Sequence, residues 1–206
     1  MPAPFLLSPV SPTIPPGPRG KATLRRGLLA RRDGLSEGAR AAASAQIGRS
    51  ANAVLAERLR PGSVVALYAA KGTEVDTVAI ETDALARGLT VCYPRIVDGE
   101  RRLGFHATTA AELVPSRFGL REPLPTSPHM ALEAINAFIV PGIAFDRSGG
   151  RMGWGGGHYD ATFAQVPGTL RIGLGFECQL IDRVPHDAHD IDVHIIITEV
   201  ATLVVP

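Results

Sequence analysis

Between Gly149 and Gly157 the chain carries six glycines, with Arg151 and Trp154 inside the run and His158-Tyr159-Asp160 closing it. Glycines let successive backbone N–H groups crowd toward one point and permit positive φ. Such a backbone suits phosphate oxygens, and Arg151 adds a planar guanidinium that stays charged. Asp160 adds a hard oxygen ligand of the kind Mg²⁺ takes. A short apolar run, Ala137 to Val140, precedes the loop and reads as a buried strand. Strand, glycine loop, arginine and aspartate together describe a site for a magnesium nucleotide or another polyanion. No Gly-Lys-Ser/Thr ends the loop, so it is not a Walker A sequence. A dinucleotide fingerprint belongs on the first strand of its unit, whereas this loop lies two-thirds along the chain.

Other candidates are weaker alone. Lys21 and Arg25 lie one helical turn apart on one face, which could be a solvated basic face. Glu74 follows the first strong strand, in Tyr68-Ala69-Ala70-Lys71-Gly72-Thr73-Glu74, where a carboxylate aimed inward could accept paired N–H donors from a ligand. Thr73 or Asp76 in the same loop could cap the next helix. Asp190 ends the His/Asp-rich stretch from Pro185. A hard-cation role for Asp190, with Asp160 as its partner, fits better than a transition-metal site.

These motifs resemble those of the 5-formyltetrahydrofolate cyclo-ligases, also called 5,10-methenyltetrahydrofolate synthetases. The loop resembles Pro-Gly-x-Ala-Phe-Asp followed by Gly-x-Arg-Leu-Gly-x-Gly-x-Gly-Tyr-Tyr-Asp, with Met152 for Leu and His158 for the first Tyr. Lys21-Ala22-Thr23-Leu24-Arg25 resembles a nucleotide-contacting Lys-x-x-Leu/Met-Arg. Glu74-Val75-Asp76-Thr77 matches the position of a substrate-contacting glutamate. Phe118 to Pro123 resembles Leu-Gly-x-x-Glu-Pro and makes Glu122 a minor candidate. Phe176-Glu177-Cys178-Gln179 resembles Phe-x-x-Gln. Asp190 matches the first aspartate of Asp-x-x-x-Asp, and His194 stands where the second is usual.

The resemblance implies ATP- and Mg²⁺-dependent cyclisation of 5-formyltetrahydrofolate to 5,10-methenyltetrahydrofolate through a phosphorylated formyl group. It implies Lys21 and Arg151 as catalytic, and Asp160 and Asp190 as metal ligands. The nucleotide would meet Lys21, Arg25, Arg151, Gly153, Trp154, Gly155, Gly156, Gly157, His158, Tyr159 and Asp160. The folate would meet Tyr68, Glu74, Trp154, Gly155, Gly156, Gly157 and His158. Two other readings stay open: a different ATP-dependent small-molecule ligase or kinase, for which His158 and His194 speak, and a non-catalytic phosphate-ligand module.

The elements that must position these residues are legible in outline. The 206 residues are 45% hydrophobic and 20% charged with a formal net charge of +1, as expected of one globular domain. That charge balance argues against a nucleic-acid surface. No apolar stretch is long enough to span a membrane. Cys92 and Cys178 lie apart, without metal-ligand spacing, and fit a reducing compartment. A cytoplasmic monomer without a cleaved leader is expected. Residues 1–19 hold seven of the 17 prolines and read as a flexible arm ahead of a single domain over 20–206.

Helices are predicted over Lys21–Arg32, from Ser36 to about Leu59 and over Asp76–Arg87, with Val78, Thr82 and Leu85 on one side of the third. Strands are predicted at Ser63–Tyr68, Thr90–Tyr93 (ended by Pro94), Ala137–Val140, Leu170–Gly175 and Ile195–Thr198. A hairpin is predicted across Asp98-Gly99, and a helix from Tyr159. Alternating strands and helices imply an α/β fold, a three-layer α/β/α domain with a mostly parallel, Rossmann-like sheet. The first two helices are expected across one sheet face. Tyr68–Glu74, Pro94-Arg95, the glycine loop and Phe176-Glu177 are expected to converge beyond the strands' carboxyl ends.

Overall fold

The computed structural model describes residues 18–206. The proline-rich arm lies outside them, except that Pro18 and Arg19 open the first helix. Helices α1 (Pro18–Asp33) and α2 (Glu37–Arg58) lead to β1 (Val64–Ala66), α3 (Val78–Ala86), β2 (Thr90–Ile96) and β3 (Leu103–Ala107). Short strands β4 (Val114–Pro115), β5 (Arg121–Glu122) and β6 (His129–Met130) follow. Then come β7 (Ile135–Pro141), β8 (Ala144–Asp146), β9 (Arg151–Met152), α4 (His158–Phe163) and β10 (Leu170–Leu174). Strands β11 (Leu180–Ile181), β12 (Ile195–Ile197) and β13 (Thr202–Val204) complete the chain.

The main sheet runs β13-β12-β10-β7-β1-β2-β3-β6. Its centre, β12 to β2, is parallel, and the flanking strands pair antiparallel. From β1 the chain proceeds to β2 on one side and later to β7 on the other. The order therefore reverses between β1 and β7, where open α/β sheets bind ligands.

Burial follows the strand period of two. Val65, Ala137 and Ile139 face one core with Ile47, Ala51 and Leu55 of α2 and Ile80 and Ala84 of α3. Ala66, Phe138 and Val140 face the other, with Phe163 of α4. Both faces are covered, which gives the three layers. Ser36 caps α2 by accepting from Ala39 N–H at 3.2 Å, as its position predicts.

Two details depart from expectation, the docking of α1 and the length of β2. Helix α1 does not share α2's face. Leu24 and Leu28 enter a separate core with Ile143, Ala144, Met152 and Val184, each burial stabilising by roughly 1.5–3 kcal/mol. That docking carries Lys21 and Arg25 to the glycine loop. On α3, Val78, Thr82 and Leu85 share one side as read from the sequence; that side faces solvent, and Ile80, Glu81 and Ala84 are buried. Finally, β2 continues through Pro94. Thr90 N–H and Cys92 C=O bond toward β1, so by the same period Pro94's nitrogen faces that side. The β1–β2 pairing ends at Cys92, so no ladder bond is lost. Strand β2 then turns back as the predicted hairpin, with Ile96 opposite Leu103.

Candidate active site

The glycine segment is a folded unit rather than a loose turn. Strands β8 and β9 pair antiparallel, with Phe145 opposite Arg151. Asp146 organises the turn between them. Its carboxylate accepts from Ser148 N–H (2.9 Å), Ser148 O–H (2.6 Å), Gly150 N–H (3.1 Å) and, across the chain, Val184 N–H (2.7 Å). Burial alone would push this carboxyl's pKa up, but the bonds from Ser148, Val184 and Gly150 outweigh it and hold it below its ordinary value. A Cβ at Gly150 would lie 2.6 Å from Asp146 Oδ2, so that glycine is needed for close approach.

A cavity of about 930 Å³ opens over this unit, beyond the ends of β1 and β7. The catalytic, nucleotide, folate and metal contacts that the resemblance implies all line it: Lys21, Arg25, Tyr68, Glu74, Arg151, Gly153, Trp154, Gly155, Gly156, Gly157, His158, Tyr159, Asp160 and Asp190. Arg151 is 5% exposed along its side chain and meets Asp160 Oδ1 at 3.2 Å. Its guanidinium carbon lies 5.3 Å from the Tyr159 ring centre, and its buried Nε has no partner. Asp160 also accepts from Ile191 N–H at 3.2 Å, which sets it against the residue after Asp190. It does not cap α4, whose N-cap is Gly157. Lys21 Nζ lies 2.6 Å from Asp187 Oδ2 and 3.8 Å from Asp190 Oδ2. Arg25 Nε donates to Gly153 C=O at 3.1 Å.

The opposite wall holds Glu74. It accepts from Lys71 N–H at 2.9 Å and from Trp154 Nε1–H at 3.4 Å. Burial raises its pKa, against the pull of Lys71 and Arg32. Trp154 is 53% exposed, with the Lys71 ammonium 5.2 Å from its ring centre, so it is not simple packing under the loop. Tyr68 contributes its ring rather than its hydroxyl, which donates to Val75 C=O at 2.8 Å. Burial, then the nearby Glu74 charge, pushes its phenol pKa well up. Tyr159 is shifted the same way by burial, against the pull of Arg151.

Several sequence candidates prove structural. Asp76 Oδ1 accepts from Val78 N–H at 2.9 Å at the start of α3, the capping alternative considered for it. Glu122 lines the cavity, but its carboxylate accepts from Ile96 N–H at 3.0 Å and Ser116 O–H at 2.6 Å, with Arg95 3.7 Å away. Phe176, Glu177 and Arg95 do not line the cavity. Gln179 is buried and bridges Phe176 N–H to Gly142 C=O. His194 and Asp192 lie away from the cavity as well. The His194 ring lies against Arg171, and Asp192 pairs with His186 at 3.3 Å. Of the two histidines that speak for a different ligase or kinase, His158 lines the cavity and His194 does not. Cys92 is fully buried, and burial pushes its thiol up to about 12, as a core filler requires.

Sequence reasoning missed Lys71, Arg101, Phe118, Asp187 and His189 in the cavity wall. Asp187, His189 and Asp190 bring their ligand atoms within 4.8 Å of one another. Their short spacing in the 185–190 stretch was the available signal. Lys21 already neutralises Asp187 and, with burial opposing, its hydrogen bond lowers that carboxyl's pKa.

The family model of the 5-formyltetrahydrofolate cyclo-ligase family matches residues 18–199. The 5-formyltetrahydrofolate cyclo-ligase of Mycolicibacterium smegmatis is 30% identical over 182 residues, 84% of this chain and 91% of that one. The Escherichia coli enzyme of the same name is 30% identical over 141 residues, 65% of this chain and 76% of its own. The solution structure of Aquifex aeolicus 5,10-methenyltetrahydrofolate synthetase superposes with a TM-score of 0.76 at 28% identity, covering 89% of this chain and 92% of that one. The match spans α1, the glycine hairpin and the Asp190 stretch alike, and the chain belongs to the 5-formyltetrahydrofolate cyclo-ligase family of enzymes.

Proposed function

We propose that the chain cyclises 5-formyltetrahydrofolate to 5,10-methenyltetrahydrofolate at the expense of ATP, through a phosphorylated formyl group. One observation carries this reading. A single cavity joins a phosphate-type wall, of Arg151, Lys21 and the glycine loop, to a ring-recognition wall, of Glu74 and Trp154. A reaction that phosphorylates a heteroaromatic substrate needs both within reach of one another.

A formyl oxygen is a poor leaving group until it is phosphorylated. Its attack on the γ-phosphoryl group forms the new P–O bond and expels ADP. N10 then attacks the activated carbon, and phosphate departs with the former formyl oxygen. Phosphoryl transfer depends mainly on positioning and charge stabilisation. Arg151 supplies a preset fork whose Nε is still without a partner, and Lys21 supplies a point charge at the same end. Loop N–H groups provide further donors. Glu74 orients the ring by accepting N–H donors, and the exposed Trp154 indole offers a stacking face.

Magnesium suits the donor set at the phosphate end. Asp160 and Asp190 are hard carboxylates on the same cavity, and Asp160 Oδ2 is outside the contacts with Arg151 and Ile191. When bound, the ion would neutralise phosphate charge. Cytoplasmic location and monomeric state belong to the same proposal. Mixing the protein with Mg-ATP and 5-formyltetrahydrofolate and following methenyl absorbance in the near ultraviolet tests it. No absorbance gain at any magnesium concentration would rule it out.

A further inference from the structure

Six cationic side chains line the cavity: Lys21, Arg25, Lys71, Arg101, Arg121 and Arg151. Five are engaged within the chain. Lys21 pairs with Asp187, Arg151 with Asp160, and Arg25 bonds Gly153 C=O. Lys71 donates to Phe118 C=O, and Arg121 to Ala110 and Leu113 C=O at 2.9 and 3.0 Å. Among the described residues, the Arg101 guanidinium has no hydrogen bond or ion pair. The acids beside it are taken: Glu100 pairs with Arg102 at 2.6 Å and Asp98 with Arg117 at 2.7 Å.

Arg101 is exposed, but its backbone is held in place. It sits near the tip of the β2–β3 hairpin, and its carbonyl accepts from His158 Nδ1 at 2.7 Å. That contact requires the imidazole proton on Nδ1. The guanidinium rests on Gly157, where a Cβ would come within 2.6 Å of Nη2, and Gly157 has a φ of +65°. A side chain at 157 would thus be strained in its backbone and would displace Arg101.

We infer that Arg101 is a phosphate-binding residue, closing the glycine loop from the hairpin side, and that His158 is its positioning residue. A cation without a partner in a cavity wall, seated on a backbone that lacks Cβ, is arranged for an anion that arrives from outside. The loop's other fork, Arg151, stands at the start of the run, and Arg101 stands at its end. The two would grip phosphate oxygens from opposite sides. At position 158 the imidazole Nδ1–H holds the hairpin carbonyl. The inference rests on the nucleotide reading given above.

The test uses Arg101→Ala, Arg101→Lys, His158→Phe and the double variant Arg101→Ala/His158→Phe, with Arg102→Ala as a control outside the cavity. Binding of inorganic tripolyphosphate is measured by calorimetry. KM is measured for Mg-ATP and for 5-formyltetrahydrofolate carrying one or several γ-glutamyl residues. Arg101→Ala is expected to weaken tripolyphosphate binding and raise KM for Mg-ATP by roughly tenfold, with Arg101→Lys recovering part and Arg102→Ala unchanged. The double variant should be no worse than Arg101→Ala, because His158 acts through Arg101.

Unchanged tripolyphosphate binding in Arg101→Ala overturns the proposal. So does an effect confined to the folate and growing with glutamyl number, which would assign Arg101 to tail carboxylates. Additive losses in the double variant would remove the role of His158. A wild-type protein that makes no methenyl product would overturn the cyclisation reading alone, since tripolyphosphate binding still reads Arg101.

Discussion

Arg151 and Asp160 meet at 3.2 Å in the cavity wall, and the Asp160 oxygen that receives Arg151 also receives Ile191 N–H at 3.2 Å. One carboxylate thus ties the glycine hairpin and α4 to the segment entering β12. The pair is largely buried, with 5% and 16% of the two side chains exposed. Removing the arginine would leave a charge without its counter-ion, which costs more than an exposed pair would. Arg151→Ala is therefore expected to lose both stability and ATP use. A fall in kcat/KM for Mg-ATP of roughly 10–100-fold corresponds to one or two charge-assisted hydrogen bonds. Arg151→Lys should keep most of the stability but only part of the rate, because the fork is lost. Kinetics run beside urea melts decide this, and wild-type kinetics in Arg151→Ala would remove the residue from the site.

The metal assignment separates from stability in the same way. Asp160→Asn and Asp190→Asn should raise the magnesium concentration needed for half-maximal rate, the former by about tenfold or more, since each removes a hard anionic ligand. Asp187→Asn should shift the requirement less, because Lys21 already holds Asp187 at 2.6 Å. If the melts fall in the first two variants while magnesium dependence stays as in wild type, the carboxylates serve only as structural acceptors.

The fold and most of the site were legible because their signals are local. Short apolar runs such as Ala137–Val140, followed by the turn residues Pro141-Gly142, read as buried strands rather than helices, and Ser36 announces the start of α2. The glycine run, Lys21/Arg25 and Glu74 carry their chemistry within a few residues each. What escaped depends on tertiary neighbours. Arg101 lies in an unremarkable hairpin tip, Asp98 to Arg102, and its place in the cavity wall beside Gly157 and His158 depends on residues more than fifty positions away. Which face of α3 is buried was not legible, because Val78 and Leu85 are apolar like Ile80 and Ala84, and only contact with Ile47 and Leu55 chooses between them. Pro94 inside a strand is permitted by where β1 stops, which no local pattern records.

Glu74 supplies a pH prediction. Burial raises its pKa above the ordinary carboxylate value, and it must be ionised to accept N–H donors from a ring. The acid limb of kcat/KM for the folate should therefore lie above the ordinary glutamate pKa. Glu74→Gln should abolish that limb and lower kcat/KM for the folate by roughly 10–100-fold, with KM for Mg-ATP little changed. A profile identical in wild type and Glu74→Gln would show that this carboxylate does not hold the substrate.

His194 should make the fold sensitive to mild acid, away from the site. Its Nδ1 accepts from Arg171 N–H at 3.0 Å, and its Nε2 lies 2.9 Å from Arg171 Nη2, another donor. A neutral imidazole carries one proton, so it can accept only one of these two N–H groups. Protonation turns both nitrogens into donors and places a positive ring beside a guanidinium. Burial first, and the Arg171 charge second, accordingly lower the His194 pKa from its ordinary 6.5. In the folded state the ring thus binds fewer protons than in the unfolded chain. The stability it contributes is complete above the unfolded value, near 6.5, and is lost as pH falls through the folded value. His194→Asp, which restores the aspartate usual in the resembled motif, replaces the conflict with a carboxylate acceptor opposite Arg171. It should raise the unfolding free energy by about 1 kcal/mol at pH 7, and by more at pH 5. Urea unfolding of both proteins between pH 5 and pH 8 measures the difference. Parallel stability curves across that range would show that His194 does not titrate between the two states.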